Sequence, residues 1–193
     1  MTTLGRMQRS WVYGGFLAGL MLLALAPVLV AGWDRASALA YLVLPVYMLH
    51  QLEEHDDDRF RRFVNEVIGG GRELLSVAAV FWINVLGVWA AMVACLWLAR
   101  SDGPGWAAFA GWLVAVNGLL HLGQGLALRR YNPGLATGVL LFLPLGALTL
   151  EAAWPVATGW VFWLSLVIVL ALHLAILAHV RIGLARASAG GAV

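Results

Sequence analysis

Six apolar stretches, each close to the length that crosses a bilayer, leave this chain little else to fold into. They run from Trp11 to Gly32, Ala36 to about Glu54, Leu74 to Ala99, Gly105 to Leu128, Gly134 to about Ala153, and Val156 to Val180. A helix rising ~1.5 Å per residue needs about 20 residues to cross a hydrocarbon core of roughly 30 Å, and each stretch spans or nearly spans it. With 62% hydrophobic and 11% charged residues, a soluble domain of 193 residues could not cover its surface with polar groups. The expected fold is an all-α polytopic membrane bundle of six transmembrane helices, forming a single integral membrane domain over residues 1–193. A five-span bundle with a re-entrant second segment is the alternative. The weakest break is Trp154-Pro155, where a hairpin must turn without a charge. The first stretch is too long for the apolar region of a secretory signal and reads as a retained helix.

The twelve basic residues are all arginines. With six spans, Arg6, Arg9, Arg59, Arg61, Arg62, Arg72, Arg129, Arg130, Arg181 and Arg186 collect on one side, and only Arg35 and Arg100 on the other. Arginine marks the cytoplasmic side, so both termini are expected in the cytoplasm. Because these arginines flank apolar segments as topology signals do, nucleic acid is not an expected partner; the lipid bilayer is. The single cysteine, Cys95, lies inside an apolar run and excludes an intramolecular disulfide framework.

The longest polar connection, residues 56–73, carries Asp56, Asp57 and Asp58, then Arg59, Arg61 and Arg62 among apolar residues. It reads as a cytoplasmic interfacial loop and helix closed by Gly69-Gly70-Gly71. A calcium loop is disfavoured, because the spaced ligands and terminal Glu are missing. The Ala/Gly-rich residues 187–193 read as a mobile tail. Gly15 and Gly19 form a small-xxx-small pair suited to close packing of the first helix.

Chemistry concentrates in His50-Gln51-Leu52-Glu53-Glu54-His55. If the second helix starts near Ala36, His50 lies ~21 Å along it and Glu54 ~27 Å, where a span should still be apolar. His50, Glu53 and Glu54 share one helical face at i, i+3 and i+4, whereas His55 points away from His50. His121 lies ~24 Å from the outer end of the fourth segment and His173 ~26 Å from that of the sixth, matching the His50/Glu layer in depth. Asn117 and Gln124 share the His121 face. Intramembrane ionisable groups gathered at one level mark function more strongly than a lone one. Two or three imidazoles with one or two carboxylates suit a transition metal, Zn or Fe before others, with His50, Glu54, His121, His173 and Glu53 as candidate ligands. Adjacent buried glutamates would otherwise tend to share a proton. Between the two, Glu54 is expected as ligand, stacked under His50, and Glu53 as proton carrier. His55 reads as an interfacial group or a partner orienting a ligand, and His179, beside Arg181, as solvated. Arg129-Arg130-Tyr131-Asn132-Pro133-Gly134 is strong turn chemistry. Tyr131 and Thr137 lie where the layer opens and line its entrance, so Tyr131 joins Glu53 and Asn117 as a candidate catalytic residue. Glu151 sits at the opposite end, and Asn84 reads as a hydrogen bonder between helices.

HQLEEH, the NGLLH of Asn117 to His121 and the RRYNPGLATGVLLFLP of Arg129 to Pro144 resemble the bacterial and fungal HXXEE family of small integral membrane proteins. The resemblance implies importance for His50, Glu53, Glu54, Asn117 and His121, and a bacterial inner membrane as location. It implies no substrate and no metal, the family's function being unassigned. The leading expectation is a membrane-embedded metal-dependent hydrolase or oxidoreductase acting on a lipophilic or small amphipathic substrate from the cytoplasmic side. The alternatives are a metal-free acid/base isomerase or cyclase of isoprenoid-like lipids, and an ion-coupled or metal transporter.

Overall fold

Local capping sets where the helices begin. Helix α1 (Thr3–Leu29) starts where the Thr2 hydroxyl accepts from Gly5 N, and α2 (Arg35–His55) where the Asp34 carboxylate accepts from Ser37 N at 2.8 Å. A short amphipathic α3 (Arg59–Phe63) passes into a π turn at Val64–Ile68. Ser76 caps α4 (Val77–Ser101), which widens into a π-helical stretch at Ile83–Ala90. Pro104, free of the need to donate, opens α5 (Pro104–Leu128). Gly134, at φ +93°, turns the chain into α6 (Leu135–Ala153), and α7 (Gly159–Ala189) follows it. These come from a computed structural model that describes residues 2–189, and among those residues there is no strand.

Contacts at the two ends show the six long helices alternating in direction. At one end Arg35 pairs with Glu151 at 2.6 Å, Arg100 lies over the Trp33 ring, and Trp106 meets Trp160 edge-on. At the other, Tyr13 OH donates to Asp56 Oδ1 at 3.0 Å, while Phe63, Val64, Leu74 and Leu75 form a cluster with Trp11, Ile83 and Val180. Five of the six are long and apolar enough to cross a membrane by composition alone. The sixth, α2, is more polar and lies at the centre, packed by α1, α4, α5 and α6. It is an unbroken helix of 21 residues, about 31 Å at ~1.5 Å per residue, so the re-entrant alternative does not describe it.

Small residues bring the backbones together. A side chain at Gly15 would strike the Trp89 ring at 2.7 Å, and one at Gly19 would strike Met48 Cβ at 2.9 Å, which puts the Gly15/Gly19 pair to the expected use. The half of the bundle holding Arg35 is closed by Ala36, Ala40, Val43, Ala107, Ala110 and Val114, all buried.

The 56–73 connection is more tightly tied than an interfacial helix alone requires. Asp57 (φ 49°) and Asp58 (φ 60°) are both left-handed, and each aspartate of the triplet meets its own arginine: Asp56 with Arg59, Asp57 with Arg62, Asp58 with Arg61. Those pairs satisfy the acidic run internally. The buried Asn65 side chain bonds Leu74 N, Leu75 N and Leu75 O, fixing the return through the glycines. Of the expected tail, residues 187–189 continue α7 and the rest lie outside the described residues.

Candidate metal centre

Helices α2 and α5 bring His50, Glu54 and His121 together, with one ligand atom from each lying within 4.8 Å of the others. His50 Nε2 is 3.5 Å from Glu54 Oε2, and His121 Nε2 is 3.6 Å from Glu54 Oε1. All three residues are buried, His50 completely. Two tetrahedral bonds of ~2.1 Å would separate their donor atoms by about 3.4 Å, close to both spacings.

Hydrogen bonding on the far side of each ring decides which nitrogen faces inward. Thr137 donates its one hydroxyl hydrogen to Glu53 Oε2, a carboxylate that can only accept, so its oxygen accepts from His50 Nδ1 at 2.7 Å. His50 therefore carries a proton on Nδ1, and the neutral ring turns a bare Nε2 toward Glu54, where that nitrogen makes no hydrogen bond. The second ring is fixed the same way. Asn132 Nδ2 donates to the His121 carbonyl at 2.9 Å, which leaves Asn132 Oδ1 to accept from His121 Nδ1 at 2.8 Å. Two lone pairs and a carboxylate thus converge in a low-dielectric interior, an arrangement that a cation stabilises.

Segment 132–137 builds this arrangement from one side. Asn132 holds His121, Thr137 holds His50, and Gly134 lies against both rings: a Cβ there would sit 2.7 Å from His121 Cε1 and 2.8 Å from His50 Cε1. The segment is itself anchored by Glu53, which accepts from Ala136 N at 3.0 Å, Thr137 N at 2.7 Å, the Thr137 hydroxyl and Tyr131 OH at 2.5 Å. Glu53 thereby caps the first turn of α6 from another helix. Burial, and after it the neighbouring Glu53 carboxylate, push the Tyr131 phenol up to about 12.

Glu53 is therefore not in the converging group, contrary to its place among the expected ligands: all its hydrogen bonds run to residues 131–137. His173 is also outside that group. Its Nδ1 donates to Val169 O at 2.8 Å, and its ring lines the adjoining cavity. Asn117 donates to Tyr47 OH at 3.1 Å, while its Oδ1 is shielded from solvent with no partner. His55, on the neighbouring helical face, still reaches Glu54 Oε2 at 3.1 Å and packs against Trp11 and Phe60. His179 is exposed. Asn84 accepts from the buried Gln51 at 2.8 Å, joining α4 to α2 as expected of it. Asn132 and Gly134 escaped the sequence reading because turn chemistry explained them fully; their signal was their position within the RRYNPG motif.

A cavity of about 630 Å³ lies beside the centre, lined by residues of α2, α4, α5 and α7, and the π stretch of α4 contributes Ile83, Asn84, Gly87 and Val88 to its wall. Its surface is mostly apolar, with Glu54, His121, His173 and Asn117 at the polar corner. Leu119, Leu120 and Leu177 line it and are also exposed on the outside of the bundle, so it opens sideways, where acyl chains would lie. A smaller polar cavity of about 220 Å³, walled by Arg9, Tyr13, Asp57 and Asp58, shares His55 with it.

Among curated proteins and among solved structures nothing matches this chain. Residues 41–149, which hold every residue of the centre and of the segment that positions it, match the family described as a protein of unknown function with HXXEE motif, and the chain belongs to that family.

Proposed function

We propose that this protein is a membrane-embedded metal-dependent enzyme, a hydrolase or oxidoreductase, that acts on a lipophilic or small amphipathic substrate. His50 Nε2, His121 Nε2 and Glu54 hold a transition metal, with zinc or iron suited to two nitrogens and a carboxylate. The observation that carries the reading is the pair of locked tautomers. Thr137 and Asn132 leave both rings facing a carboxylate with lone pairs rather than hydrogens, and the centre adjoins a sideways-opening apolar cavity. Such an ion supplies Lewis acidity and lowers the pKa of a bound water. The chain's own residues orient the ligands and exclude bulk solvent. Glu53 is a positioning residue in this scheme, and Asn117 faces the substrate. The location proposed is a bacterial inner membrane, and the ten-to-two arginine distribution supports an orientation with both termini, and the centre, toward the cytoplasm.

A transport role draws support from the polar cavity that meets the larger one at His55. Against it, the half of the bundle beyond the centre is filled by packed alanine and valine side chains. Elemental analysis of protein purified in detergent without chelator tests the enzyme reading. About one ion per chain is expected, lost in His50→Ala and in Glu54→Gln. A metal-free protein with full activity would leave the isomerase or cyclase reading in its place.

A further inference from the structure

We infer that the centre is supplied from two sides: a lipophilic molecule reaches it through the larger cavity, and water, the polar reactant, through the smaller one, with His55 at the point of passage. This deepens the reading above in its hydrolase form and rests on it for the use made of the water. The larger cavity is mostly apolar and opens where acyl chains lie, a region that holds almost no water. Two other approaches are closed. Gly134 fits so tightly against the rings of His50 and His121 that a Cβ would sit 2.7 Å from one of them, with His50 and Asn132 fully buried beside it. The half of the bundle holding Arg35 is packed with alanine and valine.

The smaller cavity differs in kind. Arg9, Asp57 and Asp58 stand in its wall, and each aspartate is answered by its own arginine, Asp57 by Arg62 at 2.8 Å and Asp58 by Arg61 at 2.5 Å. The carboxylates are thereby neutralised and Arg9 adds a positive charge, so the wall is wettable without being a site for a metal cation. Tyr13, also in that wall, donates to Asp56 and accepts from Asp57 N, which ties α1 to the 56–73 connection beside the opening. A volume of about 220 Å³ has room for several waters at ~30 Å³ each.

The inner end of this cavity meets the centre. His55 and Val80 line both cavities and form a shared wall. The His55 ring lies between Trp11, which lines the smaller cavity, at 5.1 Å, and Phe60, which lines the larger, at 5.4 Å. Its Nε2 is shielded, makes no hydrogen bond and sits 3.1 Å from Glu54 Oε2. A buried polar atom without a partner, placed between a wettable cavity and a ligand carboxylate, is a bonding partner for water on its way to Glu54.

The test is X-ray radiolytic footprinting of the full-length protein in lipid nanodiscs, where hydroxyl radicals made from water oxidise the side chains that water touches. Mass spectrometry reads the oxidation of His121, which lines the larger cavity, against the exposed His179. His121 is expected to oxidise in the wild-type protein. Val77→Trp puts an indole into the smaller cavity alone and is expected to slow His121 oxidation about tenfold, whereas His55→Ala joins the two cavities and should speed it about threefold. His179 should be unchanged in both, and rates are compared at equal zinc content. If Val77→Trp fails to fold, His55→Ala still decides. A wild-type His121 that stays unoxidised, or a rate that the folded variants leave unchanged, overturns the inference. Zinc measured on the same samples separates the two claims. A zinc-loaded protein whose His121 ignores both variants overturns this inference alone. A protein that holds no zinc yet shows the expected pattern overturns the metal reading and upholds this one.

Discussion

Replacing Gly134 with alanine tests the centre at the point where backbone and ligands touch. The added methyl group would lie 2.7 Å from His121 Cε1, 2.8 Å from His50 Cε1 and 3.0 Å from His121 Nε2. The shortest of these is about 0.7 Å inside ordinary contact, more than the ~0.5 Å within which a binding constellation must be held. The two rings cannot both retreat, because Thr137 and Asn132 hold their outer nitrogens. Displacing a ligand in this way costs ~10–100-fold in metal affinity. The backbone adds its own penalty, since φ is +93° and a non-glycine residue there costs ~1–2 kcal/mol. At ~2–4 °C per kcal/mol for a chain of this length, a total near 2 kcal/mol lowers Tm by about 4–8 °C. Gly32 separates the two effects: its φ is +74° and nothing lies within 4 Å of an added Cβ, so Gly32→Ala should lower Tm by a few degrees without changing zinc affinity. Affinity is read by competition with a chromophoric chelator. If Gly134→Ala binds zinc within about twofold of wild type, the placement of the two imidazoles against residue 134 is wrong.

Thr137→Val breaks the Glu53–Thr137–His50 chain and should weaken zinc ~10–100-fold in the same competition assay, while Thr137→Ser restores it. Glu53→Gln and Glu54→Gln should separate: the first lowers Tm by loosening the start of α6 and leaves zinc bound, the second empties the site. The pKa of Tyr131 is raised from the usual ~10, so its contribution to stability is intact below pH ~10 and fades as pH rises toward about 12. Thermal melts of Tyr131→Phe should lack that alkaline loss, and an unchanged alkaline profile would remove the phenol from the anchor. Reporter fusions at either terminus should report the cytoplasmic side, and an outer location would reverse the orientation.

The helices were legible in the sequence because bilayer length and apolar composition impose them, and the arginine partition favoured an even number of spans. The gathering of His50, Glu54 and His121 was legible through depth, which 1.5 Å per residue fixes for any straight helix. What sits opposite a helical face is not fixed that way. Glu53 was expected to carry protons or bind metal, yet its partners lie 78 to 84 residues away in the chain, in a turn whose approach to α2 no local pattern encodes. His55 was placed facing away from His50, correctly for the helix axis. Both nevertheless reach Glu54, because one carboxylate oxygen lies between them. The π stretch of α4, which contributes to the cavity wall, leaves no distinct mark on an apolar sequence.

Asn132, Gly134 and Thr137 belong to one short run of covalently joined residues, so His50 and His121 are aimed by a common template rather than by two independent helix packings. In the vocabulary of coordination chemistry, that run sets the bite of the ligand pair, as the spacer between the arms of a chelating agent does. The bite is then tuned by the length and stiffness of a turn rather than by the bundle. A one-residue insertion between Asn132 and Thr137, harmless in most surface turns, would retune both arms at once and with them which ions the pair can grip.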